Sequence, residues 1–399
     1  MTRRTTLALT ALSAQRALGA NSRPRVGVIG VGNIGRRHLD LMLLPLQKEG
    51  ALEVAAISDV YAKRKLEVAS FCGLASKDVH HDYRDLISRK DLDAVFVCTP
   101  DHWHFDMAMA TLKSGKDLYL EKPITLTVPQ AKILTEFAEQ SKRVVQVGSQ
   151  YASDDRAHRA REIIASGEIG QPVLAEAHYC SNTPTGAGYV VEPEANPETV
   201  DWTRWLGPAP KRPFSAERFF RWRNYWDYGH GIGGDLLYHR LTLLMTALGS
   251  RMPQRATASG GIYAFPNREV PDTYSTTIEY DKFTLQLTST MANALGDTLS
   301  TPIIHGTKAS LRFTNNGLEL IPERHNKSPR REIPASPAGH NPTRLPHLKN
   351  FLNCIVTRKQ PTMPPRMAYE LFAAIAAGTE SYRSIKRQTF EGDGGNPRN

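Results

Sequence analysis

Cysteine is scarce: four occur in 399 residues, Cys72, Cys98, Cys180 and Cys354, far apart and with no C-x-x-C pair. Neither a disulfide framework nor a cysteine-based zinc site is therefore indicated, and Cys98 and Cys354 read as small core residues within apolar runs. Also lacking is any apolar stretch of about 20 residues, the length a helix needs to cross a bilayer, so no stable membrane insertion is expected. There is no internal repeat and no extended low-complexity segment. Acidic residues are the minority, 40 against 50 Lys and Arg, for a formal net charge of +10. The basic excess is dispersed over the termini and the loop ERHNKSPRREIPASPAGHNPTR instead of forming a stripe with interleaved aromatics, which argues against a nucleic-acid partner. With 40% hydrophobic residues, the chain can fill large cores and divides naturally into two domains.

What is present begins with RVGVIGVGNIGRRH, Arg25 to His38, where an apolar strand runs into Gly30-x-Gly32-x-x-Gly35 and then a helical pattern. Gly30 permits the tight turn, Gly32 lets the backbone approach a pyrophosphate, and Gly35 lets the helix pack close to the strand. Asn33 and Ile34 lie at the helix N-terminus, whose free amides favour anions. Spaced glycines alone also occur in ordinary strand-to-helix turns. Here a second strand, EVAAISD, ends in Asp59 about two dozen residues after Gly35, where an acid binds adenosine ribose hydroxyls. A carboxylate there repels a 2′-phosphate, which favours NAD over NADP. Lys63 and Arg64 follow within one turn and act in the opposite sense if they face that phosphate.

The first 22 residues carry Arg3 and Arg4 ahead of a modest apolar run, with Gly19 and Ala20 before the first strand. This segment resembles a twin-arginine export signal, which implies a periplasmic destination. The run is short, is interrupted by Gln15 and Arg16, and has Leu18 two positions before Ala20. A basic N-terminal extension on a cytoplasmic protein is the other reading.

Residues 23–150 alternate apolar strands (RVGVI, EVAAIS, DAVFVCT, KDLYLEK, VVQVG) with amphipathic helices, the pattern of a doubly wound parallel sheet of Rossmann type. Residues 151–390 differ. A helix stopped at Gly167 leads to the strand PVLAEAHYC, loops rich in proline and tryptophan, and a helix from about Gly234 to Leu248. Successive strands RATASGGIYAF, DTYSTTIEY, FTLQLTSTMA, STPIIHGTKASLRFT and GLELIPE then predict a large, mostly antiparallel open sheet in an α+β domain, closed by helices LPHLKNFLNCIVTRK and AYELFAAIAAGTESYRSI. An open face carrying apolar residues needs cover, so a homo-oligomer, dimer or tetramer, is expected through this sheet.

Chemistry concentrates at strand ends. Thr99-Pro100-Asp101-His102-Trp103-His104 closes one strand and Glu121-Lys122-Pro123 the next, and carboxyl ends border the ligand crevice in such sheets. Asp235 and His239, four residues apart, share a helix face and address one pocket, where a carboxylate orients an imidazole and stabilises its charged form and Lys122 tunes local pKa values. Taken singly, Asp235 reads equally as a helix cap after GIGG and His239 as a core histidine. The alternating histidines of HWH lack a third ligand, and no metal site is assigned.

These four ordered motifs resemble the Gfo/Idh/MocA family of NAD(P)-dependent oxidoreductases, and with the second sheet the resemblance runs from about Arg25 to the C-terminal helices. It implies that Thr99, Pro100, His102, His104, Glu121, Lys122 and Gln150 join Gly30, Gly32, Asn33, Ile34, Gly35 and Asp59 around the cofactor. It implies catalytic roles for Lys122, Asp235 and His239, which also touch substrate. The chain departs from the family where Gln150 is followed by Tyr151 instead of arginine, and where His230 interrupts the glycine run in GHGIGGD. Tyr151, Trp222, Arg223 and His230 are accordingly assigned to the substrate side, the arginine- and aromatic-rich segment FFRWRNYWDYGH offering a sugar platform. The resemblance implies a dehydrogenase acting on a CH–OH group of a sugar, cyclitol or polyol with NAD. A redox-assisted glycosidase, in which transient oxidation permits elimination and the hydride returns, is the first alternative; a non-catalytic nucleotide-binding protein is the second.

Overall fold

The computed structural model describes residues 23–182, 189–295, 301–325, 327–336 and 344–384. The twin-arginine-like segment lies outside the described residues. The first sheet contains β1 (Arg25–Ile29), β2 (Glu53–Ser58), β3 (Val79–His80), β4 (Ala94–Val97), β5 (Asp117–Glu121) and β6 (Val145–Gly148). All pair in parallel, in the order β3-β2-β1-β4-β5-β6. Apart from the two-residue β3, its strands are buried along nearly their whole length because helices cover both faces, which is why they read as continuous apolar runs. The helices are α1 (Asn33–His38), passing through a π turn into α2 (Leu44–Lys48), then α3 (Ala62–Cys72), α4 (Tyr83–Ser88), α5 (His104–Lys113) and α6 (Val128–Ser141).

Past α7 (Asp155–Ala165), the second sheet comprises β7 (Pro172–His178), β8 (Arg255–Gly261), β9 (Thr273–Glu279), β10 (Thr284–Thr290), β11 (Ile303–Gly306), β12 (Ala309–Phe313), β13 (Gly317–Pro322) and β14 (Arg331–Pro334). Their order is β14-β13-β12-β11-β7-β10-β9-β8, with only the β7–β10 pair parallel. Burial alternates strictly along β9 and β10, so one face packs on helices and the other lies open. The open face is not apolar as expected: it carries a hydroxyl ladder in which Thr273 pairs with Thr290 at 2.9 Å and Ser275 with Thr288 at 3.0 Å.

Between the sheets run the short helices α8 (Trp202–Leu206) and α9 (Ala216–Phe220), then α10 (Tyr238–Leu248), entered through a π turn over Gly233–Leu237. The chain ends with α11 (Leu345–Thr357) and α12 (Pro365–Ser384). Helix α11 returns to the first sheet, where the Phe351 ring meets Phe96 and Tyr119, each at 5.6 Å.

Four elements differ from the sequence reading. STPIIHGTKASLRFT is a hairpin, not one strand, because Gly306 packs so tightly on the Ile169 carbonyl that a Cβ would lie 2.1 Å from it and the chain reverses over the next two residues. The strand beginning RATASGG stops at Gly261, since the Asp272 carboxylate collects the amides of Tyr263, Ala264 and Phe265 into a loop. Strands β3 and β14 are two and four residues long, too short for a periodic pattern.

Candidate cofactor cleft and catalytic crevice

The glycine-rich turn builds one wall of a cleft of about 620 Å³. Gly30 has φ +81°, and a Cβ there would press on the Cys98 carbonyl at 2.9 Å; a Cβ on Gly35 would lie 2.0 Å from the Gly30 oxygen. Both positions therefore require glycine. Gly32, Asn33 and Ile34 line the cleft with Asp59, Thr99 and Pro100. Asp59 is locked to the turn: Oδ2 accepts from the Val31 amide and Oδ1 from the Tyr61 amide, each at 2.9 Å. The Thr99 hydroxyl and the Gln150 side-chain oxygen, past the ends of β4 and β6, are buried without a partner among the described residues. Cradling glycines, an acid at the end of β2 and orphaned polar atoms at strand ends fit a bound dinucleotide that completes them.

A loop of the second domain crosses over this cleft. Ala62 donates to the Thr199 carbonyl at 2.9 Å and Asp201 to that of Val60 at 3.0 Å, joining the loop to the start of α3. Tyr61, Val200, Trp205, Phe219, Phe220 and Tyr228 form its aromatic core. His102 belongs to this anchorage and does not line the cleft: its Nε2 and the Trp103 indole both donate to the Trp205 carbonyl, at 2.9 and 2.8 Å. Burial pulls the His102 imidazole down to about 4.

His104 likewise faces protein instead of cofactor. Its ring nitrogens meet the carbonyls of Pro123 at 2.6 Å and Thr99 at 2.9 Å, tying the two strand-end loops together. His230 extends the same scaffold, with Nε2 on the Leu126 carbonyl at 2.8 Å and its ring edge-on to Phe372, and it does not reach the cleft. Glu121 lies beneath the crevice, 2.6 Å from His38 Nε2. Burial would raise its carboxyl, but the His38 hydrogen bond, with Arg344 and Lys122, brings it down to about 2.

The catalytic candidates come from both domains. Lys122, past the end of β5, directs Nζ at the Asp235 carbonyl (2.6 Å) and at Asp235 Oδ1 (2.8 Å). Arg223 Nε lies 3.0 Å from the same Oδ1, its guanidinium over Trp222 at 4.2 Å and Tyr189 at 4.8 Å. These two cations overcome burial and hold Asp235 well below the usual carboxylate range. Trp222 and Arg223 line the cleft.

The expected Asp235–His239 partnership is not formed. Asp235 lies in the π turn and His239 in α10, and the carboxylate is engaged by Lys122 and Arg223. His239 packs against Tyr151 (5.6 Å) and Tyr179 (6.4 Å) instead, with Nδ1 buried and without a partner among the described residues. Burial, reinforced by Lys122 and Arg344, holds the imidazole neutral, the reverse of the expected stabilised cation. The sequence reading also passed over Asp101, inside the Thr-Pro-Asp motif itself. Burial pushes it up to about 8 against the opposing pull of Lys122 and Arg223, so this carboxyl is protonated at neutral pH.

A parallel dinucleotide-type sheet is joined to an open antiparallel sheet, with a lysine–aspartate pair closed between them, a two-domain architecture built around a dinucleotide-type cleft. Residues 24–149 match the "Oxidoreductase family, NAD-binding Rossmann fold" and residues 157–312 the "GFO/IDH/MocA C-terminal domain", together covering most of the chain. The protein belongs to the Gfo/Idh/MocA family.

Among curated relatives, inositol 2-dehydrogenase of Salmonella typhimurium (strain LT2) is 32% identical over 188 residues, 46% of this chain and 54% of the relative. That of Azotobacter vinelandii (strain DJ) is 30% identical over 169 residues, 42% and 48%. The chain thus spans about half the length of the curated relatives it matches. Among solved structures, an inositol dehydrogenase homolog from Azotobacter vinelandii, complexed with NADH and myo-inositol, has TM-score 0.67 at 20% identity, covering 90% of this chain and 96% of that one. Levoglucosan dehydrogenase, in complex with NADH and levoglucosan, has TM-score 0.68 at 20% identity, covering 91% and 98%. At these identities the likeness establishes the shared fold.

Proposed function

We propose that the protein is an NAD-dependent oxidoreductase acting on a CH–OH group of a sugar, cyclitol or related polyol. The observation that carries this reading is the Lys122–Asp235 pair, closed across the two domains beside a glycine-lined cleft. Relatives named inositol 2-dehydrogenase, and structural neighbours holding NADH with myo-inositol or levoglucosan, support the substrate class.

NAD, when bound, supplies the hydride acceptor. The ammonium of Lys122 has three donors, of which two are directed at Asp235, leaving the third for the carbinol oxygen of a substrate. Asp235, anchored by Lys122 and Arg223, presents its remaining oxygen to neighbouring hydroxyls. His239 is neutral and offers a ring nitrogen to the hydroxyl proton; burial makes it a weak base, so it takes the proton as hydride leaves and the carbinol O–H becomes strongly acidic. Tyr151 and Trp222 supply apolar faces, and Arg223 stiffens the wall.

Incubation with NAD and a panel of polyols deuterated at the carbinol carbon tests this. Deuterium should appear on the reduced cofactor with at least one substrate. Its absence from the cofactor across the panel overturns the reading, and product that retains deuterium while no NADH accumulates points instead to a redox-assisted glycosidase.

Two further properties belong to this proposal. The Arg3-Arg4 segment directs periplasmic export; a folded-state reporter fused to residues 1–21 that stays cytoplasmic in a twin-arginine-competent host overturns that. The open face of the second sheet mediates self-association, through a polar, hydrated contact given its hydroxyl ladder. Sedimentation at the mass of one chain at micromolar concentration counts against it.

A further inference from the structure

We propose that Glu192, brought to the first domain by the crossing loop of the second, sets the nucleotide selectivity. It takes Lys63 out of reach of a 2′-phosphate and adds negative charge beside Asp59, so that NAD is accepted and NADP refused. The inference rests on the nucleotide reading of the cleft above.

Asp59 is followed within one helical turn by Lys63 and Arg64, two cations placed where they would neutralise a ribose phosphate. Both have other partners. Lys63 Nζ lies 3.1 Å from Glu192 Oε2 and 3.4 Å from Glu194 Oε1. Arg64 lies 3.9 Å from Asp59 Oδ2, with its guanidinium over the rings of Tyr61, Phe219 and Phe220 at 5.2 to 5.6 Å.

Glu192 lines the cleft with Asp59 and Arg64, whereas Lys63 does not. The same Glu192 Oε2 accepts from the Tyr61 hydroxyl at 3.0 Å, and the Tyr61 amide donates to Asp59 at 2.9 Å. The two carboxylates are thus coupled through one residue. The backbone bonds that dock residues 199 and 201 hold the loop in register, so Glu192 is placed before any ligand arrives.

The charges decide the direction. Within the paired groups beside Asp59, the carboxylates of Asp59, Glu192 and Glu194 against Lys63 and Arg64 leave one net negative charge, unfavourable to a phosphate that brings nearly two more, whereas Arg36, Arg84 and Arg204 line other parts of the cleft and are common to both nucleotides. Removing the Glu192 charge makes the set neutral and leaves Lys63 held by Glu194 alone. Lys63 and Glu192 are 38% and 33% exposed, so the effect is screened by solvent and weakens with added salt.

The test is calorimetric binding of NAD and NADP to the full chain, its Glu192→Gln and Lys63→Ala variants, and the double variant. Glu192→Gln should lower the ratio of NAD to NADP affinity roughly tenfold, chiefly by tightening NADP. Adding Lys63→Ala should reverse most of that gain, while Lys63→Ala alone, which removes a cation already held by Glu192 and Glu194, should weaken NADP by no more than about threefold, less than the Glu192→Gln gain. An unchanged ratio in Glu192→Gln at an unaltered melting temperature overturns the proposal. So does a large loss of NADP affinity in Lys63→Ala alone, which does not depend on how Glu192→Gln folds. A wild-type protein that binds neither nucleotide overturns the cofactor reading itself; one that binds NAD with the ratio unmoved overturns only the role of Glu192.

Discussion

Glu121 and Asp101, at the ends of neighbouring strands, are equally removed from water, 5% and 4% exposed, and reach opposite charge states. Glu121 has a hydrogen-bonding imidazole at 2.6 Å and is ionised down to about pH 2. Asp101 feels Lys122 and Arg223 only at a distance, since both are directed at Asp235, and it keeps its proton to about pH 8. Burial sets the cost of charge, but a directed partner decides whether the charge is present. In the crevice Lys122 and Arg223 therefore hold Asp235 ionised, with a neutral acid and a neutral histidine beside them and the ionised Glu121 beneath.

Removing the cation common to these groups should have the largest effect. Lys122→Ala is expected to lose at least roughly a hundredfold in kcat, the scale of acid–base and positioning groups, while NAD affinity stays near wild type. His239→Ala should lose a comparable factor. Rapid-quench turnover beside equilibrium NAD binding checks both, and wild-type-like turnover in either variant breaks the catalytic half of the comparison.

Glu121→Gln tests the paired carboxyl. Replacing the charged acceptor of the His38 hydrogen bond by an amide should cost about 2 kcal/mol of stability by urea unfolding. Because the folded pKa of Glu121 lies below its ordinary value of 4.5, this contribution is present above pH 4.5 and is lost as pH falls through about 2. The wild-type and variant unfolding curves should therefore converge in strong acid.

Asp59→Ala comes next: losing a charged acceptor beside the glycine turn should weaken NAD binding by about 2 kcal/mol, read by calorimetry. Unchanged affinity would place the adenosine elsewhere.

Asp101→Asn should act in the opposite sense to Glu121→Gln. The folded pKa of Asp101 is raised from 3.8 to about 8, so its protonation favours the fold below pH 3.8, and that advantage declines as pH rises toward 8. The amide removes the dependence, and the variant should gain on wild type by roughly 4 kcal/mol between pH 5 and pH 8, read as a rise in its relative melting temperature. Parallel melting curves for the two proteins across that range would show that Asp101 is ionised after all.

Legibility followed the range of the interactions. The first sheet was readable because strands buried on both faces must be apolar throughout, and the glycine turn because Gly30 and Gly35 tolerate no Cβ. Lys122 and Asp235 were named from motif and position, and the structure brings them to 2.8 Å. The histidines were harder. His102, His104 and His230 occupy motif positions, yet each is directed at backbone carbonyls contributed by other segments, Trp205, Pro123 and Leu126. No local pattern announces such a partner. Glu192 left no signal either, since it lies 129 residues from the lysine it holds.

The amino-acid sequence by itself determined the two-domain architecture, the dinucleotide turn, the acid at the end of β2 and the identity of the lysine and aspartate that meet, because periodicity, glycine sterics and strand-end position are local properties. Only the tertiary structure decided which charges survive and whom they serve. The pairing of Asp235 with Lys122 and Arg223 in place of His239, the neutral Asp101, and the arrest of Lys63 by Glu192 all depend on distances between distant segments. Electrostatic energy falls with separation and rises as water is excluded, and both are fixed when the second domain closes over the first.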